Sequence, residues 1–387
     1  MLTRLLDRYS AEIDRLEQSN LRRELATIGG LDFTSNDFLG LNRAEPIRLA
    51  MQQALNDGVS LGAGGSRLLR GNHLEHQRLE SQAARLFGSE KTLFLSSGYT
   101  ANFALFTTLP EKQDLVVYDA LSHASIREGV FTTRAKSVKA RHNDPDAVER
   151  AIVNWRKYSA PSAVAWIAVE SLYSMDGDRA PLKELISVAE RCDAMLVVDE
   201  AHATGVFGTH GLGLTEPYQG YNNLIVLHTC GKALGAAGAL VCASSEIIDF
   251  LVNRCRPFIY STAPPPIIAI AVGTSLTLLT TQPERRQKLH RLIETANHEL
   301  ERLFGITGSG SQIIPFVIGE EAPTRQVARE LQDAGFDVRA IRPPTVPSGT
   351  SRLRISITLN VTEQDICKML QTLRKIMDRL KVEPKPI

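Results

Sequence analysis

Two residues have types and spacing that suit carbonyl chemistry. Lys232 lies in His228-Thr229-Cys230-Gly231-Lys232-Ala233-Leu234-Gly235, between an apolar run ending at Leu227 and another beginning at Gly238. The pattern is strand, short glycine-bounded loop, strand. An amine on such a loop beside a sheet is shielded from water, which favours the neutral form that attacks a carbonyl. Asp199 closes the apolar run Ala194-Met195-Leu196-Val197-Val198 and opens Asp199-Glu200-Ala201-His202. That run has the character of a buried parallel strand, and ligands of open α/β sheets sit at the carboxyl ends of strands.

An amine and a carboxylate set one strand apart meet the two needs of pyridoxal phosphate: a lysine for its aldehyde and an acid for its pyridine nitrogen. Further residues fit. The run Thr92-Leu93-Phe94-Leu95 leads into Ser96-Ser97-Gly98-Tyr99-Thr100-Ala101-Asn102, which opens a helix. A helix start with free N–H groups and small side chains is a seat for phosphate. The strand ending at Asp119 leads to Leu121-Ser122-His123, which places an imidazole where it can lie on a bound aromatic ring. Gly58 to Gly71, with Arg67 and Arg70, forms a loop able to approach an anion or simply to cross the surface. His73 and His76 share one face of the next helix but lack a third metal ligand. The strand Ser137 to Ala140 leads to His142-Asn143-Asp144, followed by a helix from Asp146 to Trp155.

Strands alternating with helices from Thr92 to Lys232 predict a mainly parallel sheet between helices, an α/β fold. After Gln282 the pattern becomes a smaller α+β arrangement. A long helix from Arg285 to Phe304 precedes a strand at Ile313 to Ile318, a helix from Thr324 to Ala334, a strand pair around Val338 and Ile355, and a helix from Glu363 to Lys381. The expected organisation is an N-terminal helix and strand segment (1–44), a large domain (45–282) and a small C-terminal domain (283–387). A chain of 387 residues supports such cores. A net charge of +1 without long charged blocks argues against nucleic acid or anionic membrane as the main partner. The five cysteines form no CxxC pair or metal-type cluster, which suggests reduced thiols in the cytoplasm. Met1 to Gln18 has the pattern of an amphipathic helix rather than an export signal, and Ile267 to Leu279 that of a buried helix too short to span a bilayer.

The motifs Ser97-Gly98-Tyr99, Asp199-Glu200-Ala201-His202 and Thr229-Cys230-Gly231-Lys232 resemble those of the α-oxoamine synthases. These are pyridoxal-phosphate enzymes of the aspartate-aminotransferase fold, with a seven-stranded sheet in the large domain. The likeness runs from about Leu21 to the last helix. Phe33-Thr34-Ser35-Asn36-Asp37-Phe38-Leu39-Gly40, Met175-Asp176-Gly177-Asp178 and the run Ile341 to Arg354 narrow it to the branch that condenses L-alanine with a pimeloyl thioester. Glu200 and Ala203 stand where that branch's pattern has Asp and Gly. The resemblance implies roles at matching positions. Lys232 carries the cofactor and moves protons, Asp199 keeps the pyridine nitrogen protonated and His123 stacks on the ring. Ser174 and His202 contact the ring's phenolic oxygen. Gly98, Tyr99 and Thr229 bind phosphate, with Thr262 reaching the phosphate of the partner subunit in a homodimer. Arg354 and Asn36 grip the amino-acid carboxylate, while Arg22, Thr345 and His123 contact substrate. A sister enzyme using glycine or serine, an ordinary aminotransferase and a catalytically silent cofactor-binding protein remain alternatives.

Overall fold

The computed structural model describes residues 2–19, 21–25, 27 and 29–385. Met1, the first residue of the expected N-terminal helix, and Asn20 lie outside the described residues. Two compact units are present: residues 36–174 with 178–289, and residues 1–35 with 175–177 and 290–387.

The first unit is built on a seven-stranded sheet in the order Lys91–Leu95, Ala239–Ala243, Leu224–Thr229, Ala194–Asp199, Ala165–Glu170, Leu115–Asp119, Lys136–Ala140. All neighbours are parallel except Ala239–Ala243, which runs antiparallel to both of its partners. This is the mainly parallel sheet that the βα alternation predicts. The strands Leu115–Asp119, Ala165–Glu170 and Leu224–Thr229 are buried at every position. Helices on both faces of a parallel sheet demand that, which is why the sequence shows apolar runs rather than alternation. The edge strand Lys136–Ala140 instead exposes Lys136, Ser137 and Lys139, and edge lysines discourage pairing with another chain. Leu105, Phe106, Val116, Trp166, Val197 and Ile225 belong to one continuous core between this sheet and its helices.

Local signals set the helices that matter for the site. The helix Gly98–Thr108 starts where the Ser97 side chain accepts a hydrogen bond from the Thr100 N–H. The helix Leu74–Leu86 begins in a reciprocal cap: the His73 side chain accepts from the backbone of His76, and His76 Nδ1 accepts from the His73 N–H at 3.2 Å. The histidine pair is therefore a helix start. The apolar stretch after Pro265 forms the helix Pro266–Thr281, mostly buried. Among the described residues no single helix is long and apolar enough to cross a membrane.

The second unit holds a three-stranded antiparallel sheet ordered Arg339–Ile341, Ser351–Ser356, Ile313–Gly319. The pairing expected around Val338 and Ile355 forms one residue later, since Val338 separates two short strands. The first, Phe336–Asp337, pairs in parallel with Leu31–Asp32. That pairing, with Thr34 Oγ1 donating to the Asp337 carbonyl at 2.7 Å, groups residues 1–35 with the C-terminal residues, whereas the sequence suggests a separate segment ending at 44. The helices Glu321–Asp333 and Glu363–Leu380 pack against each other; Thr362 and Asp365 cap the latter reciprocally.

Candidate active site

Five chemistry-bearing side chains stand at or just beyond the carboxyl ends of adjacent strands in the first unit. Asp199 and Glu170 end neighbouring strands in register, Asp119 ends the next, Thr229 ends the strand on the other side, and His123 follows Asp119 by four residues. Parallel pairing is what gathers them: every strand end points the same way.

Asp199 is buried. Its Oδ2 accepts from Asn102 Nδ2 at 2.7 Å, and its Oδ1 accepts from the Ala201 N–H at 2.8 Å. The second Asn102 N–H donates to Ser125 Oγ at 3.0 Å, and Ser125 Oγ lies 2.8 Å from His123 Nδ1. A polar chain thus runs Asp199, Asn102, Ser125, His123. The Ser125 N–H also donates to His123 Nδ1 at 3.2 Å, which leaves Nδ1 as acceptor in a neutral ring. Burial lowers the His123 pKa and Lys232 adds to this, while Asp199 opposes it. The residue as a whole is nonetheless exposed.

Lys232 is half-buried, less enclosed than the sequence implies, and its Nζ lies 2.7 Å from Nε2 of the buried His202. The loop is shaped by its glycines: Gly235 has a φ of +62°, and a Cβ there would stand 2.4 Å from the backbone of Leu41. Lys232 and Asp199 both act electrostatically on His123 and on Glu170, so amine and acid share one site. Glu170 is buried and accepts from the His123 N–H at 2.7 Å. Burial, then the charge of Asp199, raises its pKa to about 8.

The start of the Gly98–Thr108 helix lies beside Thr229. A Cβ on Gly98 would stand 3.2 Å from Thr229 Oγ1, so the hydroxyl borders the helix start directly. The first N–H groups of a helix have no acceptor within it, and together with a hydroxyl they form a seat for an anion. Tyr99 is exposed, its ring edge-on to His123 with centroids 6.4 Å apart. Ser174 is buried in the same unit. The site therefore offers an amine, a buried acid, an exposed histidine and an anion seat, the donor set pyridoxal phosphate requires.

Asn36 is half-buried beside Asp37, whose Oδ1 accepts from the Leu41 N–H at 2.9 Å, and Thr262 is exposed. The second unit carries Arg22, Thr345 and Arg354. Arg22 is exposed and paired with Glu17 at 2.7 Å, and Thr345 is exposed. Arg354 is buried, donates to Ser356 Oγ at 2.9 Å, and has its pKa lowered to about 10 by burial. Its neighbour Arg352 pairs with Asp176. The glycine-rich loop from Gly58 to Gly71 spends Arg67 on Glu80, in two bonds of 2.8 Å, and Gly71 stands directly against the backbone of Gly65. Glu170, Asn102 and the pair Asp119 and His142 are absent from the sequence reading of the site.

A sequence profile described as aminotransferase class I and II matches residues 28–373. The 8-amino-7-oxononanoate synthase of Chromobacterium violaceum is 41% identical over 335 residues, covering 85% of this chain and 84% of its own. The 8-amino-7-oxononanoate synthase 2 of Bacillus subtilis is 36% identical, covering 96% of this chain and 97% of its own. Among solved structures, a serine palmitoyltransferase from S. paucimobilis, with a bound PLP–myriocin aldimine, superposes with a TM-score of 0.88 at 27% identity over 98% of this chain and 99% of its own. The 8-amino-7-oxononanoate synthase of Francisella tularensis superposes with a TM-score of 0.76 at 26% identity, over 91% of this chain and 99% of its own.

Proposed function

Because this chain belongs to the aminotransferase class I and II family, we propose that the site condenses L-alanine with a pimeloyl thioester. The products are 8-amino-7-oxononanoate, carbon dioxide and the free thiol, a step of biotin biosynthesis. The single observation that carries this reading is the grouping of Lys232, paired with His202, and Asp199 at one set of strand ends, in a chain whose relatives carry that name.

Pyridoxal phosphate is the cofactor; when bound, it supplies a reactive aldehyde and a ring that withdraws electrons from the substrate α-carbon. Lys232 would supply the amine that holds the aldehyde and the base for the substrate α-proton. His202, 2.7 Å from Nζ, orients that amine, and with Ser174 it would hold the phenolic oxygen of the ring. Asp199 keeps a proton on the pyridine nitrogen. Its two hydrogen bonds stop the carboxylate from rotating, so the negative charge stays aimed. His123, with its Nδ1 tied to Ser125, presents a neutral aromatic face. The N–H groups of Gly98 and Tyr99 and the Thr229 hydroxyl hold the phosphate, and Thr262 serves the partner's phosphate in a homodimer. Arg354 and Asn36 bind the amino-acid carboxylate, where a guanidinium fixes which α-bond breaks. Arg22 and Thr345 contact substrate, Arg22 towards the acyl chain. The enzyme works in the cytoplasm.

The high structural likeness to a serine palmitoyltransferase favours a second reading, serine with a longer acyl thioester. Purified protein assayed against alanine, glycine and serine with pimeloyl-CoA and palmitoyl-CoA separates the two. Turnover confined to alanine with the pimeloyl donor supports the proposal. Preference for serine with palmitoyl-CoA, or transamination without acyl donor, rejects it.

A further inference from the structure

The turn that presents His123 is fixed by a charged cluster to which the reaction assigns no part. Asp119 ends its strand and is buried. Its Oδ1 accepts from the Leu121 N–H at 2.8 Å, inside the turn, and the Ser122 N–H donates to its carbonyl at 3.1 Å. The same carboxylate reaches the end of the neighbouring edge strand. His142 Nδ1 lies 2.8 Å from Asp119 Oδ1, and the Asn143 N–H donates to Oδ2 at 2.8 Å. The other side of the imidazole meets a second carboxylate: His142 Nε2 lies 2.8 Å from Asp178 Oδ2, which also accepts from Asn143 Nδ2 at 2.7 Å. Asp178 follows Ser174 by four residues, and the Asp178 carbonyl accepts from the Tyr173 N–H at 3.0 Å.

Two carboxylates on the two nitrogens of one imidazole settle its charge by geometry. A carboxylate only accepts, so both ring nitrogens must donate, and only the imidazolium does that. Asn143 adopts φ +51°, a left-handed conformation that costs a side-chain-bearing residue energy. The two bonds from Asn143 to the same two carboxylates offset that cost. The ionisable groups facing the ring are Asp119, Asp178 and the phenol of Tyr173, whose ring stands edge-on with its centroid 4.5 Å away. Burial alone would lower the pKa of His142, but the bonds to Asp119 and Asp178 outweigh it and raise it to about 10.

We propose that His142 is a positioning residue: an imidazolium clamped between Asp119 and Asp178 that fixes the His123 turn against the Tyr173–Ser174 segment. It touches neither substrate nor cofactor and acts through the turn. The inference rests on the proposed role of His123 as the face that meets the cofactor ring.

The test uses the full chain loaded with pyridoxal phosphate and labelled with ¹⁵N-histidine. Ring nitrogen shifts are followed from pH 6 to 10.5, with His142 identified by loss of its signals in His142→Gln. The clamp requires both nitrogens to stay protonated through pH 9. In Asp178→Asn, which keeps the Asp119 contact, titration moves down by at least one pH unit and the His123 shifts change. Its kcat falls several-fold, with little change in KM for the acyl donor, and the alkaline loss of kcat moves to lower pH. If His142→Gln does not fold, the signal pair whose titration moves down in Asp178→Asn identifies the residue. A neutral His142 tautomer at pH 7.5 overturns the proposal. So does an Asp178→Asn enzyme with wild-type kcat, pH profile and His123 shifts. The nitrogen shifts need no substrate, so a charged His142 in a protein that turns over neither acyl donor counts against the reaction and not against the clamp.

Discussion

Asp114 and Asp199 are carboxylates of the same sheet at opposite ends of its strands, and they are almost equally buried, at 4% and 5% exposed. Asp114 precedes the strand Leu115–Asp119. It accepts from the Val164 and Glu111 N–H groups at 2.8 and 2.9 Å and from Trp166 Nε1 at 3.2 Å. None of those donors titrates, and all serve to join strands and turns. Asp199 closes the strand Ala194–Asp199. It is tied through Asn102 and Ser125 to an imidazole, and its charge is felt by His123 and Glu170. Burial of an acid is therefore no marker of chemistry. The marker is what the acid is coupled to, and parallel strands couple the acids at their carboxyl ends to one another and to the loops that follow.

If that distinction is right, the largest effect follows removal of the amine. Lys232→Ala should lower turnover on the order of 10³-fold or more, read in a coupled thiol-release assay, with little change in Tm. Next come the paired acids. Asp199→Asn should lower turnover on the order of 10²-fold in a protein that melts near the wild type. Asp114→Asn should do the reverse, losing about 1–3 kcal/mol of stability by denaturant titration while each folded molecule keeps its activity. Similar effects from the two substitutions would erase the contrast.

Glu170 tests the coupling through pH. Its folded pKa, about 8, lies above the ordinary carboxyl value of 4.5, so between those pH values the folded state holds the proton that the unfolded chain has lost. Stability from this residue therefore falls as pH rises through that window and levels off above it. Glu170→Gln keeps an acceptor for the His123 N–H and removes the titration. Its Tm relative to wild type should climb between pH 5 and pH 8; a difference that does not vary with pH would contradict the assignment. The smallest effect is expected of Gly98→Ala. The added Cβ crowds Thr229 Oγ1 at 3.2 Å, and cofactor affinity measured by absorbance titration should weaken by about 1 kcal/mol or less.

The sequence reveals this site unevenly, for physical reasons. Lys232, Asp199 and His123 are legible because each follows an apolar run, and the end of a buried parallel strand is a local pattern. Asn102 is not, because its partner Asp199 stands 97 positions along the chain and nothing near Asn102 distinguishes it from any other residue in a helix. The same holds for His142, which bonds to acids 23 and 36 positions away. Register is hidden for a related reason. The short strands at Phe336–Asp337 and Arg339–Ile341 read as one because Phe336, Val338 and Ala340 alternate with the charged Asp337 and Arg339 straight across the break. The helix Ser245–Arg254 escapes sequence reading too, although Ser244 caps it by accepting from the Ile247 N–H. The sheet itself, with its single antiparallel member, is legible in outline because its strands and helices alternate so regularly.

The most direct test is to reduce the protein with borohydride in the presence of pyridoxal phosphate and to map the modified peptide by mass spectrometry. The pyridoxyl group should be fixed on Lys232, with the visible absorbance band lost in step. A group found on another lysine, or a protein that takes up no cofactor while folded, would contradict the central role given to that amine.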